Sequence, residues 1–285
     1  MSNRHRARQR GFALLIVLWT VGFLALLGTQ ILAAGRSDTQ LADNLKQEAV
    51  LEAAADGAVA DAMFAIMARH DPGIQPNGST RQVRIGQTPV LIRVGNESDR
   101  VNLNTASGAL LQALITEVGG SPALANSISA AVLDWRTYGV DPRPNGAKAP
   151  AYRAAGRAYG PPGAPFQSVG ELADVLGMTP DLFARLEPHL TVLTDGDPDL
   201  STHDPVVARA LTDAAGVADI TEAPEPTSDQ VLRINATAVG SGSARYSLVV
   251  VASADLQSPS PRINILLRER DTAVANSPTI APGAR

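Results

Sequence analysis

Few residues in this chain have the type and spacing to do chemistry. Of the four histidines, His5, His70, His189 and His203, none has a second ligand one helical turn away, as a zinc site would need. His203 and Asp204 are neighbours in sequence, a poor arrangement for a carboxylate that must orient an imidazole base. Ser241 and Ser243 lie in Gly240-Ser241-Gly242-Ser243, a loop between two strand patterns and not the strand-to-helix turn that presents a nucleophile. Asp195, Asp197 and Asp199 alternate, but the run lacks the glycine and the distant glutamate of an EF-hand loop, so a solvated turn is the better reading than a metal site. Without cysteine there is no thiolate, disulfide or Cys-metal chemistry. No catalytic residue emerges, and solvated surface is the reading for each histidine.

The most informative spacing lies at the N-terminus. Arg4, Arg6, Arg8 and Arg10 precede Gly11-Phe12, and from Gly11 to Leu32 there is no charge. About twenty apolar residues suffice for a helix to cross a bilayer core. The arginines hold the N-terminus in the cytoplasm and send the rest of the chain to the other side. A cleaved secretory signal would be shorter and end in small-x-small, which Ala33-Ala34-Gly35 matches only loosely. A plain anchor leaves the Gly11-Phe12 junction unexplained.

Behind that span, periodicity sets out the remaining elements. From Arg36 to Arg69, Leu41, Leu45, Val59, Met63, Ile66 and Met67 recur every three or four residues with no proline, so one long helix continues out of the span and packs one face on a sheet. Met63 and Met67 read as core packing rather than soft-metal ligands. His70-Asp71-Pro72-Gly73 ends the helix, and the alternating runs 82–85 and 90–94 form a hairpin. Residues 101–115, 122–138, 166–177 and 179–186 read as helices, the third with Ser168 and Glu171 at capping-box spacing, around an irregular loop at 141–165. Leu200 to Leu211 repeats the opening of Leu103 to Leu114, through duplication or shared capping chemistry. After a linker at Ala223-Pro224-Glu225-Pro226, strands at 231–239, 245–252 and 262–268 join the hairpin in one sheet, and the tail from Asp271 is expected to be disordered.

Arg10-Gly11-Phe12 ahead of an apolar helix resembles the prepilin peptidase site of type IV pilins and type II secretion pseudopilins. That resemblance implies a cut between Gly11 and Phe12 that leaves the helix on the mature protein. Most members carry glutamate at the fifth mature position, to neutralise the amine of the subunit ahead; here Ile16 stands there, which suits a subunit with nothing ahead of it. With Val101-Asn102-Leu103-Asn104-Thr105-Ala106, Asp134-Trp135, Pro142-Arg143-Pro144-Asn145-Gly146-Ala147 and Pro165-Phe166-Gln167-Ser168-Val169-Gly170-Glu171-Leu172 in this order, the chain looks like general secretion pathway protein K, a minor pseudopilin family.

The resemblance implies an α+β pseudopilin fold, a long N-terminal transmembrane helix on an antiparallel sheet, with an all-helical insertion similar to SAM or helix-hairpin-helix modules. The expected divisions are a leader (1–11), a transmembrane helix (12–35), pseudopilin helix and first strands (36–100), the insertion (101–199), the remaining helix and strands (200–270) and the tail (271–285). It further implies a non-enzymatic subunit at the pseudopilus tip, partnered by minor pseudopilins I, J and H and processed by prepilin peptidase. Its head would lie in the periplasm and its anchor in the inner membrane. Members carry acidic residues around the loop after Asp134-Trp135, where calcium can bind. This chain keeps Asp134 and Asp141 but has Thr137, Gly139 and Lys148 where more carboxylates would be expected. No cofactor is required on this reading, and calcium is at most an addition.

A second resemblance, of residues 101–106 to the opening of helix-hairpin-helix modules, leaves a membrane-tethered DNA-binding protein of a competence system as the alternative. Against it, Glu117-Val118-Gly119-Gly120-Ser121-Pro122 has no Gly-x-Gly and no lysine. The net charge of −4 falls to −8 without the four leader arginines, the wrong sign for nucleic acid. Trp135, Tyr138, Tyr152, Tyr159 and Phe166 cluster in the insertion, where core is favoured over a binding platform.

Overall fold

A computed structural model describes residues 4–68, 76–216, 229–255 and 262–271, with side chains described for all but 4–14, 28–39 and 229. One helix, α1 (Arg4–Ala68), runs without a break through the basic, apolar and Ala-rich stretches. At about 1.5 Å of rise per residue it is roughly 100 Å long. Among the described residues no helix is long and apolar enough to cross a membrane. Within α1 the apolar run with described side chains covers 15–27, and its large residues, Leu18, Trp19 and Leu24 among them, are exposed.

The distal half of α1 buries Leu51, Ala54, Ala55, Ala58, Val59 and Ala62, one stripe at helical spacing. That stripe lies on a five-stranded antiparallel sheet of order β1-β2-β5-β6-β7, formed by β1 (Asn77–Ile85), β2 (Thr88–Asn96), β5 (Asp229–Val239), β6 (Arg245–Asp255) and β7 (Arg262–Arg270). Val90, Ile92 and Val94 of β2, Ile234 and Ala236 of β5, and Leu248 and Val250 of β6 meet it. The expected face differs in part: Leu41 and Leu45 are exposed, and alanines make most of the contact because short side chains let helix and sheet approach closely. Strands from both sides of the insertion share the sheet as expected, with Val94 opposite Ile234.

Between β2 and β5 the chain folds β3 (Val101–Asn102), α2 (Gly108–Glu117), α3 (Pro122–Arg136), α4 (Ala149–Ala154), α5 (Pro180–Leu186), β4 (Leu190–Thr191) and α6 (Pro205–Ala215). Ser107, Ser121, Thr179 and Asp204 cap α2, α3, α5 and α6 through their side-chain oxygens. Three expectations are corrected. The insertion is not all-helical: β3 pairs in parallel with β4 and closes its two ends together. The loop at 141–165 contains α4, whose Tyr152 is fully buried. Finally, α6 packs on α2 and buries Val207, Ala210 and Leu211 in the insertion's core, so the boundary expected at 199 falls after α6. The helix end at 70–73, the linker at 223–226 and the tail beyond Asp271 lie outside the described residues.

Ala55 has no exposed surface against the sheet, so Ala55→Leu should overpack the contact and cost about 1–3 kcal/mol. Chemical denaturation of the detergent-extracted chain measures it; unchanged stability would mean that the α1 stripe is not seated on the strands.

Candidate functional site

The sequence blocks that stood out along the chain meet in one place. Asn104 exchanges two hydrogen bonds with the backbone of Phe166, its Nδ2 donating to the carbonyl (3.0 Å) and its Oδ1 accepting from the N–H (2.7 Å). Asn102 Oδ1 accepts from Asn104 N (2.8 Å), and its Nδ2 donates to Thr194 O. From the last turn of α3, Arg136 reaches back to the carbonyls of Leu103 and Ala106. Burial lowers the Arg136 pKa, and Asp197 opposes that. Trp135 stacks on Phe166 with centroids 5.9 Å apart. Trp135, Tyr152 and Phe166 are thus core, as expected, whereas Tyr138 is 91% exposed. Burial pushes the Tyr152 hydroxyl up to about 12, although it accepts from Leu176 N (3.0 Å).

A second node joins insertion and sheet. The turn Glu97–Asp99 leaves β2 with Asn96 as its cap, and Glu97 is fully buried. Arg233 of β5, on the sheet face away from α1 because Ile234 faces the helix, clasps Glu97 at 2.6 and 2.8 Å. Arg100 lies 3.6 Å from the same carboxylate and donates to Leu190 O of β4 (3.4 Å). Burial works against both guanidiniums. It lowers the Arg100 pKa, with Arg233 adding to the effect, while in Arg233 the Glu97 hydrogen bond and charge outweigh it and raise the pKa.

Beside this node is a cleft of about 300 Å³ that holds two histidine–aspartate pairs. His189 Nδ1 is 2.5 Å from Asp204 Oδ2, and His203 Nδ1 is 3.3 Å from Asp99 Oδ2. His203 is exposed as expected, but His189 is not a solvated residue: its ring is mostly buried against Asp204. Sequence reasoning missed both pairs because the partners lie 15 and 104 residues apart. The Asp204 carboxylate also caps α6, and the main-chain carbonyl of Asp99 accepts from Thr202 Oγ1 (2.9 Å).

The candidate metal ligands are scattered in use. Asp134 is fully buried at the end of α3, with Arg143 N at 3.1 Å and Arg143 Nη1 at 3.0 Å on its carboxylate, while Asp141 is exposed. Lys148, also buried, sends its ammonium to Asp134 O (2.6 Å) and Thr137 O (2.5 Å). Calcium needs carboxylates and carbonyls free to turn inward, and here two side-chain cations already hold them; these residues do not fit the ion. Asp197 Oδ1 accepts from Thr105 Oγ1 (2.9 Å), and burial raises its pKa despite that bond. Asp199, held low by the Ser201 side chain, caps the Ser201 turn, and Asp195 is exposed. Among the described residues no group of three or more His, Asp or Glu is placed to hold a metal. In the hairpin after α2, the N–H groups of Val118, Gly119 and Gly120 donate to Leu114, Thr116 and Ile115, so they point inward and not at a phosphate.

Residues 92–195, which hold the Asn104 node, the Glu97 turn and the Asp134 loop, match the family model of type II secretion system (T2SS) protein K. A curated Klebsiella pneumoniae relative, type II secretion system protein K, is 25% identical over 211 residues, 66% of this chain and 64% of that protein. The chain is thus similar to the type II secretion protein K family over its middle part and to one member across 66% of its length. It therefore spans just under two thirds of that relative's length. A chain of the crystal structure of the GspK-GspI-GspJ complex from enterotoxigenic Escherichia coli shares the fold, with a TM-score of 0.56 at 14% identity over 82% of this chain and 99% of that one.

Gly11 and Phe12 lie within α1, and the side chain of Phe12 is outside the described residues. Ile16 is described and half exposed on α1. Leu41, Leu45, Val50 and Phe64 are exposed further along the same helix, off the sheet.

Asp204 tests the cleft. Burial would raise its pKa, but the His189 contact and the N–H groups of Val206 and Val207 overcome this and hold it below the ordinary 3.8. A lowered carboxylate stabilises the fold above its unfolded pKa and loses that contribution as pH falls through the folded value. Asp204→Ala should cost about 1–2 kcal/mol at neutral pH and progressively less in acid below that range. Thermal unfolding across pH reads this, and a loss independent of pH would contradict it.

Proposed function

We propose that this chain is a minor pseudopilin at the tip of a type II secretion pseudopilus, where it starts assembly and helps export proteins across the outer membrane. It is not an enzyme on this reading. Prepilin peptidase cuts between Gly11 and Phe12, and the charge-free run that follows stays in the inner membrane with the N-terminus cytoplasmic and the head periplasmic. The observation that carries the reading is α1 itself: an unbroken helix with its distal stripe on the sheet and apolar residues left uncovered elsewhere along it. A helix of this kind fits a bundle of like helices.

The protein K match of residues 92–195 supports the same reading. Minor pseudopilins I and J are the proposed partners, because the similar solved chain comes from a GspK-GspI-GspJ complex, and H joins them by analogy. Ile16 supports the tip position, since a subunit with nothing ahead has no amine to neutralise and gains nothing from a carboxylate in lipid. Nucleic-acid binding is not favoured, because the hairpin N–H groups after α2 are used within the chain.

Mass spectrometry of the membrane-extracted protein should find Phe12 as its first residue, and Gly11→Val should retain the leader and stop secretion. A native Met1, or a start beyond Gly35, would overturn the proposal.

A further inference from the structure

We infer that the loop from Thr137 to Lys148 carries its own structural cation, the buried Lys148 ammonium, and that the head folds without calcium. This rests on the chain's own side chains and is independent of the proposed role in secretion.

A helix ends with carbonyls that no helical N–H can reach and that carry partial negative charge. At the end of α3 those groups find other donors. Leu133 O accepts from Thr137 Oγ1 (2.7 Å) and Trp135 O from Gly163 N (3.0 Å). Asp134 O and Thr137 O both point at Lys148 Nζ, at 2.6 and 2.5 Å. The ammonium sits where a loop metal would sit, on main-chain oxygens next to a buried carboxylate.

That carboxylate is taken as well. Asp134 accepts from the Arg143 N–H and guanidinium, and the turn Pro144-Asn145-Gly146 wraps so tightly that a Cβ at Gly146 would lie 2.1 Å from Asp134 Oδ2. Asn145 adopts a positive φ of 63° to make the wrap. Two unit positive charges meet one carboxylate and two carbonyls, with no unpartnered buried side-chain polar atom among the described residues. A divalent ion entering this cradle would face both cations and would have to displace them. Lysine suits the task because its compact charge can serve two carbonyls that diverge.

The test uses the full-length protein in detergent. The melting temperature should be the same in millimolar calcium and in EGTA, and calcium titration calorimetry should show no saturable binding. Lys148→Met keeps the stem but removes the charge, and should lower Tm by roughly 5–15 °C in both buffers. A calcium-dependent rise in the wild-type Tm that Asp134→Asn abolishes would overturn the inference, as would a Lys148→Met protein as stable as the wild type. Should that variant fail to fold, the wild-type titration decides alone: silence supports the built-in cation, and saturable heat lost in Asp134→Asn refutes it.

Discussion

A carboxylate with no access to water must be matched by cations, and Glu97 is such a carboxylate. It sits at the point where the chain leaves β2 for the insertion, so its partners decide how the two parts meet. Arg233 holds it from the sheet, while Arg100 approaches from the insertion side and continues to β4. The three residues bind strand, turn and insertion in one cluster. Removing one partner leaves a buried charge uncompensated, which makes the seam unforgiving of small shifts.

The same economy recurs wherever a titratable group lies inside. Asp134 is matched by Arg143, the carbonyls beside it by Lys148, and Asp204 by His189. Each pairing fixes a joint between successive stretches of the chain: a helix end to the loop after it, or a turn to a helix cap. These pairings hold the joints of the fold together.

Much of the fold was legible because its signals are local. The unbroken α1, the hairpin at 82–94, the capping box of Ser168 and Glu171, and the late strands all announce themselves within a few residues. The misses are non-local or short. Two-residue β3 and β4 carry no periodicity, and α6 joins α2 although its capped opening says nothing about its neighbour. In α1 the buried face was read from Leu41, Leu45, Val59, Met63, Ile66 and Met67, of which Val59, Met63 and Ile66 do meet the sheet, but alanines fill most of it. Asn102 and Asn104 were visible as pattern, but their bonds to Thr194 and Phe166 span distances that sequence does not show, and Arg136, which reaches Leu103, was not singled out at all.

The central claim is that insertion and sheet are one body joined through a buried ion pair, and a double-mutant cycle on Glu97 and Arg233 tests it most directly. Equilibrium unfolding of Glu97→Ala, Arg233→Ala and the double variant should give single losses of about 3–5 kcal/mol and a coupling of about 2–3 kcal/mol. Additive losses, with coupling below about 0.5 kcal/mol, would contradict the account.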